Sequence, residues 1–257
     1  MQAWLQCVGW YKNMRTIKLT IAYDGSGYQG FQKQKHGQTV QNKLEEILSL
    51  LCNEPISTIG SGRTDAGVHA LAQTVSFSTS GSIPCANIVR AAARLLPPDI
   101  VILEAVEVAE DFHARYSAKA KTYLYKVAVN EQNSPFLYRY AWQLRQDLDL
   151  EAMNKASALL LGKHNFSAFR SSGSVETDPN RTMTLAQWEK TAEGYSFRIT
   201  GDGFLYHMVR NLVWSLVQVG LGKRSVADFA AELNSERCEF LNEPAPACGL
   251  YLEKVEY

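Results

Sequence analysis

What most restricts the fold of this chain is the way two periodicities alternate along it. Segments with an apolar residue at every second position trade places with segments whose apolar residues recur every three or four. Residues 15–23 read as a strand, with Ile17, Leu19 and Ile21 alternating with Lys18, Thr20 and Ala22. Val40, Leu44, Ile47, Leu48 and Leu51 then share one helical face. Further strands are predicted over 73–78, 100–108, 121–129, 195–200 and 249–257. Helices are predicted over 87–96, stopped by Pro97-Pro98, over 149–161, capped by Asp149 and ended by Gly162, and over 204–219. Some successive strands are joined too briefly to hold a crossover helix. The expectation is an α+β fold: two similar lobes with largely antiparallel sheets flanked by helices.

At 257 residues, with 46% hydrophobic and 20% charged side chains, the chain can bury a core of this size. Its greasiest stretch, residues 204–221, is interrupted by His207, Arg210 and Asn211, so no membrane span is predicted. Five scattered cysteines with no paired spacing argue for a reducing cytoplasm and against a disulfide framework or zinc site. The 26 basic and 26 acidic residues cancel to a formal charge of zero, so no global basicity announces a nucleic-acid partner. Locally the balance breaks: residues 99–111 carry acids only and residues 115–126 bases only. That contrast is either a basic face beside an acidic one or two solvated faces.

Three features could carry chemistry. Gly60-Ser61-Gly62-Arg63-Thr64-Asp65-Ala66-Gly67-Val68-His69-Ala70 sets an acid and a base in a glycine-rich loop between regular elements. Asp65 is a candidate nucleophile or base there, and the alternative is a tight turn with a solvated ion pair. In Arg115-Tyr116-Ser117-Ala118-Lys119-Ala120-Lys121-Thr122-Tyr123-Leu124-Tyr125-Lys126, aromatic and basic side chains interleave. Such a mixture suits stacked bases and phosphates, or else tyrosines packing a core. The third is Arg210, a cation in an apolar helix that demands an acid or a phosphate partner. Tyr206, four residues before it, is predicted to be its helical neighbour. The five histidines show no metal-ligand spacing, so no metal is assigned.

Gly62-Arg63-Thr64-Asp65-Ala66-Gly67-Val68-His69-Ala70 resembles the signature loop of the tRNA pseudouridine synthase A family. The likeness continues in order: Tyr23-Asp24-Gly25-Ser26-Gly27-Tyr28, Asp111-Phe112-His113-Ala114-Arg115-Tyr116, Lys121-Thr122-Tyr123-Leu124-Tyr125, His207-Met208-Val209-Arg210-Asn211 and Gly249-Leu250-Tyr251-Leu252. The resemblance implies a cofactor-free cytoplasmic isomerase acting on uridines 38, 39 and 40 of the tRNA anticodon stem-loop, as a homodimer without metal or membrane. It further implies an N-terminal lobe over 14–113 and a C-terminal lobe over 114–257, with the active-site cleft between them. Asp65 matches the catalytic aspartate, attacking ribose C1′ or base C6 or helping form a glycal. Arg210 matches its arginine partner, and Tyr123 the tyrosine that stacks on the target base and could remove the C5 proton. Arg63 matches the residue filling the space of the flipped base. His69, Arg115, Lys119 and Lys121 complete the expected substrate-binding set.

Two positions and one segment depart from the family pattern. Phe31 stands where tryptophan is commoner, and Trp214 where glycine is usual, which requires different packing. Residues 1–13 have no counterpart, so Met14 is expected to be the initiator, or the leader an appended or disordered segment. Two other functions compete: a catalytically silent RNA-binding protein using the same cleft, and a carboxylate-dependent hydrolase. The hydrolase needs a second carboxylate or a metal, and the sequence sets no further acid beside Asp65.

Overall fold

A computed structural model of the chain describes residues 14–171, 178–235 and 243–257. The expectation for the leader, residues 1–13, falls outside them. In chain order the described elements are β1 (Arg15–Tyr23), α1 (Val40–Cys52), β2 (Ile59–Gly60), β3 (His69–Thr79), α2 (Cys85–Leu95), β4 (Ile100–Val108) and β5 (Ala120–Val129). They continue as β6 (Trp142–Leu144), α3 (Leu150–Ala158), β7 (Gly162–Asn165), β8 (Asn180–Lys190), β9 (Gly194–Gly201), α4 (Met208–Gly220), α5 (Val226–Leu233) and β10 (Leu250–Glu256).

Among the described residues the strands form one ten-stranded sheet in the order β4-β1-β3-β10-β5-β9-β8-β7, with β2 beside β3 and β6 beside β5. Pairing is mostly antiparallel, as short connections require. The C-terminal strand joins the two halves: β10 runs parallel to β3, with Tyr251 opposite His69, and antiparallel to β5, with Leu252 opposite Tyr123. Helices α1 and α2 pack with the first-half strands, while α3, α4 and α5 pack together beside β8.

Local chemistry explains these elements. Ile17, Leu19 and Ile21 are wholly buried, which is the period-two pattern of β1 realised. Thr39 caps α1 by accepting from the Asn42 N–H at 3.2 Å, and Val40, Leu44 and Leu48 are wholly buried. The helix ends at Asn53, left-handed at φ 53°, a conformation asparagine tolerates better than most residues. Asp149 caps α3 as predicted, but the helix stops at Ala158, and Gly162 (φ 93°) instead opens β7. Helix α4 begins at Met208, four residues later than its hydrophobicity suggests. Tyr206 therefore lies in the preceding turn and is not a helical neighbour of Arg210.

Strand β8 was not foreseen because a register shift between Met183 and Leu185 breaks its alternation. The two family departures find room: Phe31 is buried with its ring against Gly60, and Trp214 is half-buried against the core.

Candidate active site

Asp65 stands at the crest of the loop between β2 and β3, and the loop is fastened on both flanks. On the ascending side the Ser61 N–H donates to the Thr74 carbonyl at 2.8 Å, and Gln73 Nε2 donates to the Gly62 carbonyl at 2.9 Å. Ser61 Oγ also donates to Gln73 Oε1. On the far side the Val68 N–H closes a turn onto the Asp65 carbonyl at 3.1 Å. Beneath it, Tyr23 and Thr64 share a hydroxyl hydrogen bond of 2.8 Å, and the Phe31 N–H donates to the Thr64 carbonyl at 3.1 Å. Gly25 lets β1's turn press against this loop: a Cβ there would lie 1.9 Å from the Val68 carbonyl oxygen.

Arg210 reaches Asp65 from the first turn of α4. Its Nη1 lies 3.4 Å from Asp65 Oδ2, and its Nε donates to the Ala245 carbonyl at 2.6 Å. The Ala245 N–H returns a bond to the Arg210 carbonyl at 3.2 Å, so a wholly buried residue near the C-terminus aims the guanidinium. The anomalous cation of an apolar helix thus has its acid. Asp65 remains partly exposed, at 25% of its side chain, and so remains reachable from solvent. Among the described residues, no three His, Cys, Asp or Glu side chains converge to hold a metal ion.

Tyr123, on β5, lies buried with Phe204 edge-on at 5.0 Å. Burial first, then Tyr23 and the charge of Asp65, raises its phenol well above the usual value, so the hydroxyl stays protonated at neutral pH. Tyr125 is a core residue, its hydroxyl donating to the Pro246 carbonyl at 2.8 Å. Lys121, on the same strand, is half-buried, and its ammonium lies 3.3 Å from where a Cβ on Gly62 would stand. Burial, then Arg115 and Arg181, pushes its pKa down to about 8.

The remaining candidates lie farther out or farther in. Arg63 is exposed on the loop, Lys119 is exposed before β5, and Arg115 lies exposed over the Tyr116 ring at 5.6 Å. His69 is 2% exposed, accepts the Gly25 N–H at Nδ1 (3.1 Å), reaches the Arg139 carbonyl with Nε2 (2.9 Å) and stacks on Tyr251. It braces the loop from beneath. The structure adds groups that the sequence reading assigned no role: Gln73, Ala245, Arg181 and His207, whose Nε2 lies 3.4 Å from Asp65 Oδ2. Only His207 carried a signal, its place in the His207-Met208-Val209-Arg210-Asn211 motif.

Comparison with known proteins relates the chain to one family. The family model described as tRNA pseudouridine synthase matches residues 19–117 and 156–257, spans that include Asp65 and Arg210 and leave Tyr123 between them. A protein of Acetivibrio thermocellus named tRNA pseudouridine synthase A is 44% identical over 244 residues, covering 95% of this chain and all of that one. One of the same name from Moorella thermoacetica is 45% identical over 246 residues, with the same coverage. A Clostridium perfringens relative, tRNA pseudouridine synthase A 2, is 42% identical over 245 residues, again across 95% of this chain and all of that one.

Proposed function

This chain belongs to the tRNA pseudouridine synthase family, and on that premise we propose that it converts uridines 38, 39 and 40 of the tRNA anticodon stem-loop to pseudouridine. Product and substrate are isomers: the bond from N1 to ribose C1′ breaks, one from C5 to C1′ forms, and a proton moves from C5 to N1. No atom or electron enters, so carboxylate chemistry and base positioning suffice.

Asp65 is the reacting carboxylate, attacking C1′ or C6 or assisting a glycal route. Arg210 aims it from 3.4 Å. Tyr123 stacks on the flipped uracil, and once the N1–C1′ bond has broken and the intact base has turned and joined C1′ through C5, it stands by C5 for the proton loss. A neutral phenol suits the stacking role, while proton removal needs C5 to be strongly acidified by then. Arg63 fills the gap the base leaves, and Arg115, Lys119 and Lys121 meet the backbone. His69 contributes through the loop it braces. The lobes over 14–113 and 114–257 flank this cleft. A cytoplasmic homodimer completes the reading, because a second copy adds basic surface that a chain of zero net charge lacks.

One observation carries this reading. An arginine 145 positions away meets the loop aspartate. The test is to incubate unmodified tRNA with the protein and without added metal, then map pseudouridine. Product at 38–40 from the wild type and none from Asp65→Ala is expected. No product from the wild type, or equal product from Asp65→Ala, overturns it.

A further inference from the structure

Asp65 has a second neighbour, which the chemistry above does not use. His207 Nε2 lies 3.4 Å from the same Oδ2 that Arg210 approaches, also at 3.4 Å. Among the described residues no donor reaches Oδ1. The imidazole precedes α4 in the left-handed region at φ 60°, where few residues other than glycine and asparagine sit comfortably.

The ring is held there. It stacks on Tyr206 with centroids 3.8 Å apart, and Nδ1 lies 3.0 Å from Ser171 Oγ. Ser171 is fastened in turn: its N–H donates to the Tyr206 carbonyl at 3.2 Å, and its Oγ accepts from Asn211 Nδ2 at 3.4 Å. Asn211 is 1% exposed and also donates to the Phe169 carbonyl at 2.8 Å. The Ser171 hydroxyl proton is then available to Nδ1. In the neutral ring the remaining proton stands on Nε2 and faces the carboxylate. Burial favours that neutral form by lowering the imidazole pKa, with Asp65 opposing and Arg210 assisting.

The geometry points to His207 as a positioning residue: an Asn211–Ser171–His207 chain turns an N–H onto Asp65 Oδ2, so that two donors hold one carboxylate oxygen and leave Oδ1 to react. This rests on the reading of Asp65 as the reacting group. A contact of 3.4 Å is long for a hydrogen bond, as catalytic contacts in unliganded sites often are.

The test separates reach from backbone shape. His207→Asn tolerates the left-handed backbone and meets Ser171 but stops short of Asp65, whereas His207→Gln carries an amide N–H out to the Nε2 position. Single-turnover rates on anticodon stem-loop RNA are measured beside filter-binding Kd values, with wild type and Asp65→Ala as references. His207→Asn is expected to slow the reaction about 10- to 100-fold with Kd within about twofold of wild type, and His207→Gln to recover most of that loss. A wild-type rate in His207→Asn, or equal losses in both variants, overturns the proposal. An inactive wild type or a fully active Asp65→Ala overturns the Asp65 reading instead, which keeps the two failures apart.

Discussion

Asp65 has two polar groups, Arg210 Nη1 and His207 Nε2, within 3.4 Å of one of its oxygens. Lys121 shows the same economy in a basic group. A half-buried lysine whose pKa is pushed down to about 8, beside Arg115 and Arg181, is a charge the fold does not favour. Because its folded pKa lies below its ordinary value, the protonated ammonium weakens the fold up to about pH 8, and that burden lifts as pH rises towards the usual lysine range. Lys121→Met is therefore expected to melt no lower than wild type at pH 7. Its RNA affinity is expected to fall, with the salt slope smaller by about one. In the wild type, affinity declines as pH rises through about 8, while in the variant it stays level. Binding titrations at several pH values, alongside thermal melts, check both halves, and an unchanged salt slope would remove Lys121 from the phosphate contacts.

At the scale of elements, the site is a meeting of one loop, one helix end and one central strand, so contacts remote from Asp65 govern it. Gly25→Ala would set a Cβ 1.9 Å from the Val68 carbonyl oxygen, and β1's turn and the Asp65 loop cannot both stay in place. A fall in turnover of about 10²-fold is expected, with the far-UV circular dichroism spectrum preserved. Helix α4, which carries Arg210, is tied to α5 through Glu232. Arg224 Nη1 donates to Glu232 Oε2 at 2.7 Å and Ser215 Oγ donates to it at 2.8 Å, with the carboxylate side chain 1% exposed. Arg224→Met leaves that carboxylate buried without its cation. Denaturant unfolding is expected to show a loss of about 3–5 kcal/mol, and a loss under about 1 kcal/mol would remove this ion pair from what ties α4 to α5.

At the scale of the whole molecule, one sheet runs from β4 to β7, with β10 inserted between β3 and β5. The last strand therefore aligns the aspartate loop with Tyr123. No described helix is long and apolar enough to cross a membrane. With zero net charge, RNA affinity depends on where bases cluster, and the proposed second copy would join its own cluster to the first. Light scattering at micromolar concentration is expected to give twice the chain mass, and a monomer that remains fully active would remove the dimer from the reading.

Elements with unbroken periodicity are legible from the residues alone. β1, α1 and β4 follow from alternation and helical spacing, and Asp65 stood out because glycines, an acid and a base share its loop. The sequence also carried the family, through motifs arriving in order. Where local pattern is broken or ambiguous, packing between distant segments settles the outcome. A register shift hid β8, and a left-handed His207 delayed the start of α4, neither of which composition records. Gly60-Ser61-Gly62-Arg63-Thr64-Asp65 alone was compatible with a plain turn. Ala245 aiming Arg210, and Ser171 orienting His207, are contacts between distant segments, and such contacts exist only once packing has brought the segments together.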